Sequence, residues 1–163
     1  MKEVVFILEE SSAQYLIKGL LQRINKNQIK PTFIIFDGKQ DLDKELERKL
    51  RGYNNPNASF IILRDQDSGD CKEIKMMLVE KCKNAGKPCA IVRIACRELE
   101  SWYIADLQAV EAAYNKSLSN LQNKEKYRNP DISLESPSKE LKKLVSEYQK
   151  IAGSRLIANY LDV

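Results

Sequence analysis

Four short apolar runs recur along the chain, and each gives way to a stretch whose apolar residues return every three or four positions. Residues 3–8 (EVVFIL), 31–36 (PTFIIF), 58–63 (ASFIIL) and 87–95 (KPCAIVRIA) are rich in β-branched and aromatic side chains and predict strands. Between them, residues 11–24 place Leu16, Leu20, Leu21 and Ile24 at helical spacing behind the capping serines Ser11 and Ser12. Residues 42–53 follow the loop DGKQD and carry the dense charge of a helix with one solvent face. Residues 71–86 predict a third helix, closed by Gly86. Beyond the fourth strand, 98–115 predicts one continuous helix, the polar stretch 116–137 a long loop or mobile segment, and 138–161 two helices broken near Gly153.

Strands that are apolar throughout, alternating with helices, predict an α/β fold whose mainly parallel four-stranded sheet is flanked by helices. At 163 residues the chain fits a single domain, with an α/β core over 1–97 and a helical C-terminal extension over 98–163. No apolar run approaches the ~18 residues of a membrane span, and the opening MKEVVFILEESS meets acids where a cleavage site would need small residues. A soluble, cytoplasmic protein without an export signal is the expectation. Cys71, Cys82, Cys89 and Cys96 form no CxxC pair, and reduced, mostly packed thiols follow.

The chain contains no histidine, which removes Ser-His-Asp and Cys-His catalysis and every histidine-ligated metal. Any catalysis must rest on carboxylates, amines, guanidinium groups or hydroxyls. The formal net charge of +4, from 27 basic and 23 acidic residues, favours a polyanionic partner only where the basic groups cluster.

Acids gather where the strands stop. Glu9 and Glu10 follow the first, Asp37 the second, Asp65, Asp67 and Asp70 the third, Glu98 and Glu100 the fourth. The carboxyl ends of parallel strands share one rim, where open α/β sheets bind ligands. Two carboxylates ~4 Å apart repel by roughly 4 kcal/mol at an effective dielectric near 20, so such a rim calls for a cation, a proton or open water. Asp65 and Asp67, two apart on leaving a strand, are expected to direct both carboxylates to one side, and hard oxygen ligands suit magnesium, manganese or calcium. DQDSGD is not an EF-hand loop, because Asp70 and Met76 stand where Gly and Glu are required, and DGK at 37–39 lacks the frame of a P-loop. The plainer alternative is an Asp-rich turn capping the helix that begins near Asp70.

A glutamate at the end of the first strand and a DxD after a later parallel strand resemble Toprim domains, the catalytic module of topoisomerases, bacterial primases and the overcoming-lysogenization-defect (OLD) nucleases. The segments VVFILEE, FDGKQDL, ILRDQDSGDC, VRIACRELESWYIAD and PSKELKKLVSEYQKIAGSRLIANYLDV resemble more closely a bacterial Toprim-like family of unknown function. The resemblance spans nearly the whole chain and implies a Toprim-like Rossmannoid fold. It also implies magnesium- or manganese-dependent phosphodiester chemistry on nucleic acid, with an ATPase partner and a place in phage defence. The family has Gly after the first-strand Glu, and this chain has Glu10, which leaves Glu9 as the match.

On this reading Glu9 is the general acid or base, Asp65 and Asp67 hold the metal, and Asp70, Glu98 and Glu100 are further candidate ligands. Lys39, Arg64, Arg93 and Arg97 near the same rim are the candidate phosphate contacts, whereas Lys139, Lys142, Lys143, Lys150 and Arg155 fit an ordinary solvated helix face. Glu98, Trp102 and Asp106 would share one helical face, and Trp102 and Tyr103 are expected to pack in the core. Two other readings stay open. One is a Toprim-like subunit that binds nucleic acid or an ATPase without cutting; the other is a metal-dependent phosphotransfer enzyme on small substrates. A homo-oligomer is compatible with all three.

Overall fold

The computed structural model describes residues 1–25 and 28–163. Strands β1 (Lys2–Leu8), β2 (Ile29–Ile35), β3 (Ser59–Asp65) and β4 (Ile91–Ala95) form one parallel sheet in the order β2-β1-β3-β4. β1 is central, with Leu8 in register with Ile35 on one side and Leu63 on the other, while Asp65 pairs with Ala95. The strand ends therefore converge as the alternation of the sequence implied, with helices covering both faces.

Side chains alternate between those faces. Val5, Ile7, Phe60, Ile62 and Val92 pack against Leu42, Leu46 and Leu50 of α2 (Lys39–Arg51) and Leu78 and Cys82 of α3 (Cys71–Asn84). Val4, Phe6, Leu8, Leu63 and Ala95 face α1 (Ser11–Ile24) and the C-terminal helices. The apolar stripes of α1, α2 and α3 thus close two cores, one on each side of the sheet.

Several expectations change. The fourth strand begins at Ile91 instead of residue 87, because Lys87 to Ala90 form a turn in which the Ala90 N–H donates to the Lys87 carbonyl at 3.1 Å. Residues 98–115 do not make one helix: α4 (Glu100–Ile104) ends at Ala105, and Asp106 caps α5 (Leu107–Tyr114) by accepting from the Ala109 N–H at 3.1 Å. Glu98, Trp102 and Asp106 consequently share no helical face, and Trp102 is 40% exposed whereas Tyr103 is fully buried. The stretch 116–137, expected as a long loop, contains a 3-10 turn (Ser119–Asn123), α6 (Glu125–Arg128) and α7 (Pro130–Ser133). Its Leu118, Tyr127 and Leu134 are buried in the second core. The final break lies between α8 (Pro137–Leu144) and α9 (Lys150–Ile157), and Gly153 sits inside α9. There a Cβ would overlap the ring of Tyr148, which explains a glycine within a helix. Gly19 has the same role in α1, where its missing side chain admits Ala158.

Among the described residues no helix is long and apolar enough to cross a membrane.

Candidate active site

β3 runs two residues further than the sequence predicted, so Asp65 is its last residue and Glu9 stands beside it, just past the end of β1. The Glu9 carboxylate accepts the Asp65 N–H at 2.9 Å, and the Glu9 backbone is fixed by its own N–H to the Leu63 carbonyl at 3.3 Å and by the Gly38 N–H at 3.1 Å. Gly38 has φ +90°, a conformation that costs glycine little and side-chain-bearing residues more, and it lets the chain turn over the rim into α2.

Asp65 and Arg64 leave the strand on opposite faces. Asp65, 9% exposed, lies toward α4, where the Leu99 N–H bonds to it. Burial first, and then the nearby charges of Glu9, Glu100 and Glu10, raise its pKa to about 8, with the Leu99 N–H acting against them. Burial also raises Glu9; its bond from the Asp65 N–H opposes this, while Asp67 adds to it. Glu100 is 2% exposed and raised by burial too; Lys150 and the Tyr148 hydroxyl, which donates to Oε1 at 2.9 Å, pull the other way. The second oxygen of Glu100, Oε2, is buried without a hydrogen-bond partner. Burial opposes the charge on Lys150, yet Glu100, Glu10 and Asp65 hold its pKa above the ordinary lysine value. Its ammonium donates to Glu10 at 3.2 Å, and Glu10 also accepts from the Ser12 hydroxyl at 2.6 Å. Lys150 and Glu10 border a rim cleft of about 400 Å³ with Asp37 and Gly38. A larger cavity of about 760 Å³ beside Trp102 and Tyr160 lies away from these acids.

Asp67 does not point with Asp65. It occupies the left-handed region at φ +53°, which aspartate tolerates better than most residues, and its carboxylate meets the Lys39 ammonium at 2.8 Å. The Asp67 N–H donates to the Arg97 carbonyl at 2.9 Å, joining the loop after β3 to the loop after β4. Glu9 feels the charges of both Asp67 and Glu10, so the three acids share one field despite their separate directions.

The other candidate residues divide. Asp70 caps α3, its Oδ1 accepting from the Lys72 and Glu73 N–H groups at 2.8 and 3.0 Å. Glu98 accepts the Ser138 N–H at 2.6 Å and fastens the start of α8 to the loop after β4. Arg64, expected to meet phosphate, is 6% exposed instead: its Nε and Nη2 donate to the two Asp43 oxygens at 2.9 Å each and Nη1 donates to the Asp65 carbonyl at 2.6 Å. Arg93 is exposed within β4, on the edge of the sheet, and Arg97 is half-buried at the rim. Lys39 contacts a carboxylate of the DxD directly, at Asp67. Lys150 and Tyr148 complete the site from the C-terminal extension. In the sequence Lys150 looks like one more lysine of a solvated helix, and only the tertiary fold carries it to the acids.

Among the described residues, no group of three or more Cys, Asp or Glu side chains is arranged to hold a metal ion by itself. Magnesium does not require one: it commonly takes one or two carboxylates and completes its octahedron with waters and substrate phosphates. The buried carboxyl of Asp65 and the partnerless Oε2 of Glu100 are oxygen donors short of positive charge, which fits a hard cation.

The class defined here is a four-stranded parallel α/β domain with acids at the carboxyl rim. The chain belongs to the family described as Domain of unknown function (DUF4276), whose sequence profile matches residues 8–163. No curated protein and no solved structure matches it.

Proposed function

We propose that this chain is a metal-dependent nuclease of Toprim type, cleaving phosphodiester bonds of nucleic acid at the rim formed by Glu9, Asp65 and Asp67. The observation that carries the reading is the 2.9 Å bond from the Asp65 N–H to the Glu9 carboxylate, which joins the first-strand glutamate to the DxD across adjacent parallel strands.

Asp65 and Asp67 would hold magnesium or manganese. Bound there, the ion supplies a Lewis acid for the phosphoryl oxygen and charge for the departing one. Lys39 releases Asp67 at small cost, since the pair is 42% and 31% exposed and such bridges contribute about 0–1 kcal/mol. Glu9, with its pKa raised by burial, is suited to take a proton from an attacking water and return it to the leaving oxygen. Lys39, once freed, and Lys150 at the cleft offer ammonium groups to the phosphate backbone, with Arg97 nearby. The family resemblance adds an ATPase partner and phage defence as the setting.

A second reading, a non-cutting subunit that binds nucleic acid or an ATPase, is favoured by how these acids are already engaged. Asp70 and Glu98 serve as helix caps, and Asp67 already has a cation.

Incubating the chain with plasmid DNA and with single-stranded RNA, in magnesium or manganese and in chelator, separates the two. The nuclease reading expects cleavage with the ions only, lost in Glu9→Gln and Asp67→Asn. Salt-sensitive binding without cleavage, or Asp67→Asn cutting as fast as the parent, overturns it.

A further inference from the structure

One side of the molecule carries basic residues and no acids. Residues 11–36, which hold α1 and β2, contain no Asp or Glu but include Lys18, Arg23, Lys26 and Lys30; residues 148–161, which hold α9, contain none but include Lys150 and Arg155. The helices on the other side of the sheet, α2 and α3, mix both signs. The fold brings the two acid-free segments together: α1 and α9 lie side by side, with Lys150 meeting Glu10 where both helices start and Ala158 against Gly19 further along. Arg23 is engaged by the Ala158 and Leu161 carbonyls. Lys18 and Arg155 are exposed, and neither forms an ion pair among the described residues. Both rest on aromatic rings instead: the Arg155 guanidinium lies 4.3 Å from the centre of the Tyr15 ring, and the Lys18 ammonium 5.9 Å from that ring and 5.4 Å from the ring of Phe33 in the edge strand β2. Such contacts position the two charges without neutralising them.

These groups continue the rim cleft. Lys150 and Ile151 line that cleft and also a neighbouring one of about 480 Å³ that reaches Arg155, from which the row runs on through Tyr15 and Lys18 to Phe33. Gathered cations without acids call for an extended anion, and the rings between them select its kind. We propose that the face formed by Tyr15, Lys18, Phe33, Lys150 and Arg155 is a track that leads single-stranded nucleic acid to the rim. Lys18, Lys150 and Arg155 meet phosphates, while Tyr15 and Phe33, with the exposed Ile35 and Ile151, offer apolar area to unpaired bases, which a duplex keeps stacked inside. An anionic membrane would need large apolar groups projecting from the face, whereas both rings are half-buried and Phe33 stacks on Phe6 at 5.3 Å. Such a track rests on the nucleic-acid reading proposed above and serves a cutting and a non-cutting chain alike.

The test is binding of a fluorescein-labelled single-stranded oligodeoxynucleotide to the full chain in chelator, read by fluorescence anisotropy over a series of salt concentrations, with the same sequence as a duplex beside it. The parent should bind the single strand more tightly than the duplex and lose affinity as salt rises. The double variant Lys18→Ala, Arg155→Ala should bind at least about tenfold more weakly at low salt, with a log-log salt slope shallower by about 1.4, two phosphate contacts at about 0.7 each. The control Lys44→Ala, Lys75→Ala removes the same charge from α2 and α3 and should match the parent. A double variant that binds like the parent, or a control that weakens as much, overturns the track and leaves the nuclease reading standing, because cleavage of plasmid is measured separately. A duplex bound as tightly as the single strand overturns the assignment to single strands. A parent that binds neither at low salt, or that binds phosphatidylserine vesicles through Lys18 and Arg155 instead, overturns the track and the nucleic-acid reading with it.

Discussion

Replacing Asp65 with Asn should make this protein more stable at neutral pH. The folded chain raises the Asp65 pKa to about 8, through burial first and then through Glu9, Glu100 and Glu10. In the unfolded chain the group titrates near 3.9, so between about 4 and about 8 the native state binds the extra proton. Stability contributed by that proton is complete below the unfolded value and is lost as pH rises toward the folded one, by about 1.4 kcal/mol per unit. From about pH 5 to about pH 7 the loss is roughly 3 kcal/mol, a large share of the stability of a small domain. Asn keeps the shape, still accepts the Leu99 N–H and can donate toward a neighbouring carboxylate, but it has no charge to protonate. Urea unfolding of parent and Asp65→Asn at about pH 5, 6, 7 and 8 reads the difference. The parent should weaken steeply across the series and the variant much less, retaining a shallower slope from Glu9 and Glu100, which are raised in the same direction. A parent with flat stability over that range, or a variant weaker than the parent at every pH, would refute the view that the rim holds uncompensated acid.

Asp70→Ala should cost about 1 kcal/mol as the cap of α3 is lost, measured by urea unfolding, while leaving any magnesium-induced stabilisation intact. In Gly19→Ala the new Cβ lies 2.5 Å from that of Ala158, so overpacking between α1 and α9, typically about 1–3 kcal/mol, should outweigh the ~1 kcal/mol gained in helix propensity, and the thermal midpoint should fall. Lys150→Met removes the ammonium beside Glu10 and Glu100; being half-exposed, it should cost no more than about 1 kcal/mol, with a greater loss near pH 8 than near pH 5, because burial raises Asp65 and Glu100 and so leaves less negative charge for it to meet at the lower pH.

The sheet was legible because each strand is a continuous apolar run closed by a polar turn, and parallel order carries all the run ends to one rim. Glu9 and Asp65 could be placed from that logic alone. Asp67 could not, because its left-handed backbone turns its carboxylate toward Lys39, against the alternation that two positions along a strand imply. The break at Asp106 was hidden by the helix-forming residues on both sides, and it emerges only where Asp106 bonds to both Ala109 and Asp162. Arg64 looked like a rim cation, yet its neutralising partner Asp43 lies 21 residues away. The same distance problem concealed Tyr148 and Lys150, whose meeting with Glu100 depends on how α8 and α9 fold back over α4. Local patterns report strands, caps and faces; they carry little information on which distant charge completes a buried acid.

Whether the rim acids bind a divalent cation is tested most directly by thermal unfolding of parent and Asp67→Asn against magnesium or manganese concentration. An ion that binds only the folded state stabilises it by RT ln(1 + [L]/Kd), about 2.7 kcal/mol at a hundredfold excess over Kd. The parent midpoint should climb steadily with either ion and return with chelator, and Asp67→Asn should respond little. A parent that ignores both ions, or a variant that follows the parent curve, would contradict the metal site, leaving the rim as acids held by Lys39, Lys150 and protons alone.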